Sequence, residues 1–335
     1  MSPRKLFVKD LGEFQLIGLL ASALGAEHNP TASGDLLLSI GDDAAAWRGS
    51  DSATVLTTDT MVEGVHFSLD WTGWEALGWK LMSTNQSDVA AMGCIPMYAV
   101  VSLGLRDDLP IKGLEQMYRG IASACAENGG AVVGGDVVRS TTFFVTVAMT
   151  GSAGGEGPLL TRDAAKPGDI IAVTGRLGSS SGGLRSLREG LVADGKSEAF
   201  LRNAHNRPSP RVSEGYALRA IGVSAAIDIS DGLVDDLGKF CAASGVGADL
   251  RTDQVPVDDR LKRAFPDDWL DLALSGGEDY ELAFAAPAET VAEAARKLDA
   301  TVTSIGQVRE GSGVRVLNGD GDKISVGRGG WDHFK

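Results

Sequence analysis

Cysteine and histidine are scarce in this chain, and neither is arranged for chemistry. Cys94, Cys125 and Cys241 lie far apart with no C-x-x-C pair, which excludes a disulfide framework or a cysteine zinc site and leaves reduced, cytoplasmic thiols as the expectation. His28, His66, His205 and His333 form no metal-ligand pair at helical spacing, and neither G-x-S-x-G nor a glycine-rich dinucleotide fingerprint occurs. Hydrolase triads and hydride transfer therefore lose their support. Basic residues are also in the minority, 31 against 45 acidic ones, and the net charge of −14 opposes binding to nucleic acid or an anionic membrane. A phosphorylated partner must then be held locally, through metal ions. No apolar run approaches the ~18 residues that span a bilayer.

What is present suits a two-domain α/β protein: 335 residues, 43% of them apolar. Short apolar strands end in glycine or threonine and then aspartate, as in LLLSIGDD, ATVLTTD and AVVGGD. Between and after them, WEALGWKLMSTNQSDVAAMG and LEQMYRGIASACAENGG read as helices, and MYAVVSLGL and TTFFVTVAMTG as strands. Glycine density rises at SAGGEGPLL, which puts a boundary there and gives domains 1–153 and 154–335. The second half restarts with the strand of KPGDIIAVTG, and AAIDISDGLVDDLGKFCAASG passes from strand to helix through Asp228, Ser230 and Asp231. Near the N-terminus, MSPRK followed by LIGLLASALGA mimics a secretory signal. Phe14, Ile17, Leu20, Ala21 and Leu24, however, keep 3.6-residue spacing, which predicts an amphipathic helix.

Two segments imitate ligand loops. GLVADGKS, residues 190–197, fits the phosphate-loop pattern, but it follows a charged helical segment rather than a buried strand, so a helix end and a solvated turn are expected. NGDGD, residues 318–322, resembles a calcium loop, yet Lys323 takes the place of the required glycine and Gly329 that of the final glutamate. A hairpin turning at Gly319-Asp320-Gly321 is the reading.

The chemistry concentrates in aspartate. Asp42, Asp43, Asp59, Asp88, Asp136, Asp228 and Asp231 sit at or beside the ends of apolar elements, although aspartate is depleted in strands. Each alone is equally a cap for the helix or turn that follows. Together, with glycine or hydroxyl neighbours in IGDD, TTDT, GGD and DISDG, they suit magnesium, which takes a few carboxylates, waters and substrate phosphates.

GDDAA (41–45), TTDTMVEGVHF (57–67), NQSDVAAMG (85–93), GGD (134–136), LLTRDAAKPGD (159–169), DISDGLVDDL (228–237), SGGEDYEL (275–282) and GWDHF (330–334) occur in series, and in order and spacing they resemble the thiamine-monophosphate kinase family. The wider aminoimidazole ribonucleotide synthetase-like superfamily shares the aspartates, so a cyclo-ligase, a selenophosphate synthetase or a nucleotide-binding maturation factor is the alternative. The selenium enzyme is expected to carry a cysteine near its start and the maturation factor one at its end, and neither residues 1–40 nor WDHFK contain one. The resemblance implies an N-terminal α/β sandwich that dimerises through its sheet, a C-terminal α/β domain, and a homodimer. Its activity is Mg-ATP-dependent phosphorylation of thiamine monophosphate to thiamine diphosphate, with several Mg2+ ions. It implies Asp43, Thr57, Thr58, Asp59, Asp88, Asp136, Asp228 and Asp231 as metal residues, Asp231 for a further ion, with Asp88, Asp136 and Asp231 as the catalytic set. It implies Tyr118, Gly135, Asp136, Arg162 and Ser230 for ATP, and His66, Glu278 and Trp331 for thiamine monophosphate. Trp331 stands where the family is expected to have tyrosine or phenylalanine.

Overall fold

A computed structural model describes residues 6–25, 35–38, 40, 45–49, 51–155, 157–190 and 194–326. The chain divides into two compact units, Met1–Val89 with Ile95–Gly155, and Ala90–Cys94 with Glu156–Lys335. Among the described residues no helix is long and apolar enough to cross a membrane.

The first unit runs α1 (Glu13–Ala23), β1 (Leu36–Leu38), β2 (Ala46–Trp47), β3 (Thr54–Val62), α2 (Trp74–Ala91), β4 (Ile95–Leu105), α3 (Ile111–Asn128), β5 (Ala131–Arg139) and β6 (Phe144–Ser152). Four strands form one sheet in the order β3-β6-β4-β5, with β4 and β5 parallel across α3. The alternating burial of β6 shows the pleat: Val145, Val147 and Met149 are fully buried, and their neighbours are not. Helix α1 is the amphipathic helix read from the sequence, burying Leu16, Leu20 and Leu24.

Helix α2 is buried nearly all round, although it carries Ser83, Thr84, Asn85, Gln86 and Ser87 in succession. Several of these polar groups are satisfied locally: Ser83 Oγ donates to Trp79 O, and Thr84 Oγ1 and Asn85 Nδ2 donate to Leu81 O. Gln86 Nε2 reaches further, to Ala124 O at 3.1 Å and Gly129 O at 2.9 Å, and ties α2 to the end of α3. The two helices touch backbone to backbone through glycine. A Cβ on Gly78 would lie 1.8 Å from Met117 O, and one on Gly120 would lie 1.9 Å from Glu75 O.

The second unit runs β7 (Ile170–Thr174), α4 (Ser179–Glu189), α5 (Gly195–Asn206), α6 (Val212–Ala220), β8 (Ala225–Asp228), α7 (Leu233–Ser244), β9 (Gly247–Arg251), α8 (Asp259–Ala264), α9 (Trp269–Ser275), β10 (Leu282–Ala286), α10 (Ala288–Lys297), β11 (Val302–Arg309) and β12 (Gly313–Leu317). Its six-stranded sheet has the order β12-β9-β11-β7-β10-β8 and is antiparallel except for β12 with β9. Both faces are covered. Ile171, Val173, Ile227 and Ala283 join the core with Leu237 and Phe240 of α7, while Ala172, Ala226, Leu282 and Phe284 face Leu218, Val291 and Ala294 of α6 and α10.

Three sequence expectations are corrected. Asp59 and Asp136 do not end their strands: β3 continues to Val62 and β5 to Arg139, because β-branched residues follow each aspartate and both strands are edges, where a carboxylate keeps its water. In GLVADGKS, helix α4 does stop before Gly190, but Gly195-Lys196-Ser197 opens α5 rather than a turn. Asp194 Oδ1 accepts the N–H groups of Lys196 and Ser197 at 3.0 Å, so the chain's own carboxylate fills the place of a phosphate; Leu191, Val192 and Ala193 lie outside the described residues. The NGDGD turn is closed by Asn318 Oδ1, which accepts from Asp320 N and Asp322 N, but among the described residues the return arm is joined by the isolated bridge of Lys323 to Leu317 rather than by a full strand.

The glycine contact predicts opposite effects of one methyl group. Gly78→Ala should cost about 2 kcal/mol or more, since neither carbonyl nor helix can move aside cheaply. Gly238→Ala, inside α7 with nothing within 4 Å of the new Cβ, should instead stabilise by up to ~1 kcal/mol. Chemical denaturation of both variants checks this; equal effects would contradict the packing.

Candidate active site

In the first unit the sheet sorts the candidate residues by face. Thr57 Oγ1 donates to Asp88 Oδ2 at 2.5 Å, so Thr57 points towards α2, and Asp59, two residues on, shares that side. Thr58 turns the other way and donates to Val147 O across the strand pair. Asp136 also lies on that second face, in a row with Ser102, Thr146 and Thr60, where the two threonine hydroxyls meet at 2.8 Å. Asp59 and Asp136 are on opposite edge strands, three strand spacings or roughly 14 Å apart. Thr57 and Asp88 thus come together with Asp59 on the same side of the sheet, and Asp136 of the same chain lies on the other. Asp43 lies outside the described residues.

Tyr118, Gly135 and Asp136 line one cavity of about 810 Å³. Its other walls are mostly apolar, with Ile17, Leu20, Trp47, Tyr98 and Val133 among them. Gly135 is required by its neighbour, because a Cβ there would lie 2.0 Å from Val101 O. Tyr118 is buried, and desolvation holds its hydroxyl well above the ordinary tyrosine range, so it stays neutral. His66 Nδ1 accepts the N–H of Val62 at 3.0 Å, which leaves Nε2 as the donor of the neutral ring.

In the second unit two motifs run side by side. Glu278 N donates to Ser230 O at 2.7 Å, Tyr280 N to Ile229 O, and Ile229 N to Glu281 O. This places Asp228, Ser230, Asp231 and Glu278 along one seam that prolongs the β8–β10 pair. Glu278 and Tyr280 both take positive φ, +65° and +51°, the only described non-glycine residues to do so. Such strain is held where surrounding contacts over-determine it. Here each acidic side chain has its own partner. Glu278 lies 3.4 Å from His205 Nδ1, Asp279 accepts from Gly178 N and Ser180 N at the start of α4, and Glu281 takes Arg211 in a bidentate pair at 2.6 Å. Arg162 is exposed, and its carbonyl accepts from Ser244 Oγ. Trp331 and the rest of GWDHF lie outside the described residues.

The donor sets differ in their fit to a cation. Thr57, Asp59 and Asp88 offer only oxygen, the chemistry that Mg2+ selects. Among the described residues, one group of three carboxylates lies close enough to share an ion: Asp231, Asp235 and Asp236. That group already holds the ammonium of Lys239, 2.5 Å from Asp231, 2.9 Å from Asp235 and 2.8 Å from Asp236.

Residues 41–153 match the AIR synthase related protein N-terminal domain, and residues 166–317 the AIR synthase related protein C-terminal domain. Over 333 residues the chain is 36% identical to the thiamine-monophosphate kinase of Aquifex aeolicus (strain VF5), across 98% of this chain and 99% of that one. The chain belongs to the thiamine-monophosphate kinase family. It is similar in fold to the crystal structure of the thiamine-monophosphate kinase from Stenotrophomonas maltophilia K279a, with TM-score 0.81 and 36% identity over 94% of this chain and 98% of that one. It is likewise similar to AaThiL complexed with AMPPCP and TMP, with TM-score 0.76 and 34% identity over the whole of both chains.

Sequence reasoning passed over three charged groups that the structure buries on or beside the elements carrying the candidate residues. Lys80, 2% exposed on α2, stands one and two helical repeats of four before Thr84 and Asp88; a lysine inside an otherwise apolar GWKLM run is the signal that marked it. Asp236 is buried and accepts the N–H groups of Ser230, Asp231 and Gly232 on one oxygen at 2.9–3.0 Å. Asp279 keeps partial exposure as a residue, but its carboxyl is packed against the start of α4. Desolvation, reinforced by Glu281 and Glu278 and opposed by the two N–H groups, pushes its pKa up to about 7.

A carboxyl whose folded pKa is raised holds a proton that the unfolded chain has released, so its contribution to stability falls as pH rises from about 4 to 7. Asp279→Asn should remove that part of the dependence, and the variant should gain on the wild type between pH 5 and 8. Urea melts at both pH values check this. Parallel pH profiles would contradict the buried, protonated carboxyl.

Proposed function

We propose that this chain transfers the γ-phosphoryl group of ATP to the phosphate of thiamine monophosphate by direct in-line attack, yielding thiamine diphosphate and ADP. Membership of the family makes it a phosphotransferase. The observation that carries the finer reading is the pairing of Thr57 with Asp88, an all-oxygen set on facing elements, in the same unit as the cavity lined by Tyr118, Gly135 and Asp136. A phosphate monoester has its second pKa near 6, so the acceptor is already a dianion at neutral pH and needs no general base. The difficulty is repulsion between two anions, which explains a site rich in aspartate and poor in histidine. Magnesium bound at these residues supplies the positive charge that offsets that repulsion.

In this reading Thr57, Asp59 and Asp88 of the first unit hold magnesium on one face of the sheet, with the Thr57 hydroxyl orienting Asp88, while Asp43, Thr58 and Asp136, and Asp228 of the second unit, are ligands of further ions. The apolar cavity receives the nucleotide base beside Tyr118, and the bare backbone of Gly135 lets the nucleotide approach. Arg162 and Ser230 contact ATP. His66 donates from Nε2 to thiamine monophosphate, Glu278 complements the thiazolium charge, and Trp331 stacks on a ring of the substrate. A homodimer is the reading for the exposed sheet face, where Leu56 of β3 is 74% exposed and Val100 of β4 and Val138 of β5 are exposed too, Leu56 and Val100 also lining the cavity, since an apolar patch of this kind marks an interface.

Asp88→Asn tests the assignment, because it keeps the volume and hydrogen bonding of the helix while removing the charge. Its melting temperature should stay close to the wild type and its turnover with Mg-ATP and thiamine monophosphate should fall about a thousandfold. Wild-type turnover would sink the reading.

A further inference from the structure

Lys239 extends from the second turn of α7 back over the helix N-terminus and meets three carboxylates at once. An ammonium has three N–H donors, and here each has one acceptor: Asp231 Oδ2, Asp235 Oδ2 and Asp236 Oδ1. The second oxygen of Asp236 is used as well, by the N–H groups of Ser230, Asp231 and Gly232. The cluster therefore has its charge and its hydrogen bonds arranged around a cation that belongs to the chain.

A divalent ion on the Asp231 oxygen that Lys239 holds does not fit this arrangement. Coordinated at roughly 2.1 Å, the distance magnesium demands, it would share a carboxylate with an ammonium already bonded to it, and the two positive charges would repel across a few ångströms. We propose that the Lys239 ammonium takes the place of the further metal ion at Asp231, so that this protein binds one divalent ion fewer than the aspartates suggest. Asp231 then acts as a positioning residue: with Asp236 and Lys239 it fixes the Ser230-Asp231-Gly232 turn, whose Ser230 carbonyl receives the N–H of Glu278. The role given to that turn rests on the phosphotransferase reading; the count of ions does not.

The test is the number of Mn2+ ions bound, measured by electron paramagnetic resonance of free Mn2+ during titration of the whole protein, with and without ATP. Asp231→Asn should leave the wild-type number unchanged. Lys239→Met, which keeps the stem and removes the charge, should bind one Mn2+ more, and the double variant should return to the wild-type number. Circular dichroism melts establish that each variant is folded, and the Asp231→Asn arm stands without the others. Loss of one Mn2+ in Asp231→Asn, or no gain in Lys239→Met, would overturn the proposal. Absence of phosphoryl transfer in the wild type would overturn the kinase reading and leave these numbers as they are.

Discussion

The rest of the first unit depends on the contact between α2 and α3. Two helices approach until carbonyl oxygens occupy the places where Cβ atoms of Gly78 and Gly120 would be, and Gln86 fastens the end of the pair. That approach sets the depth and rotation of α2 beneath the sheet. Asp88 then meets Thr57, and a carboxylate near the end of a buried helix becomes a fixed partner of a strand hydroxyl. The polar run of α2, which would be costly in an ordinary buried helix, is tolerated because many of its side chains find carbonyls within reach.

Much of this was legible in the sequence. The 3.6-residue spacing gave α1, glycine stops ended α3, and alternation gave β6. Strand β10 was not legible: Leu282–Ala286 is buried at every position, so it shows no alternation that distinguishes a strand from a helix fragment. The boundaries around Asp59 and Asp136 failed for a different reason. The rule that aspartate ends a strand presumes a central position, and both residues sit on edges.

For the site, residue types were readable and spatial partners were not. DISDGLVDDL announces carboxylates, but only the fold shows that Asp236 is consumed by three N–H groups and that Lys239 reaches Asp231. The seam at Glu278 follows the same logic. Two strained residues flank Asp279, and each acidic side chain of that segment is claimed by a different element, through His205, the start of α4 and Arg211. Long-range pairing of this kind carries no local signature, whereas the order of the motifs carried the family.

The central claim is that aspartate-bound magnesium brings one phosphate against another without a protein base. Phosphorus NMR of the purified chain with ATP and thiamine monophosphate tests it most directly. The coupled diphosphate resonances of thiamine diphosphate should grow as the γ-phosphate signal of ATP declines, in magnesium and not after chelation. Release of inorganic phosphate with the thiamine monophosphate signal unchanged, or diphosphate formation in excess chelator, would contradict the account.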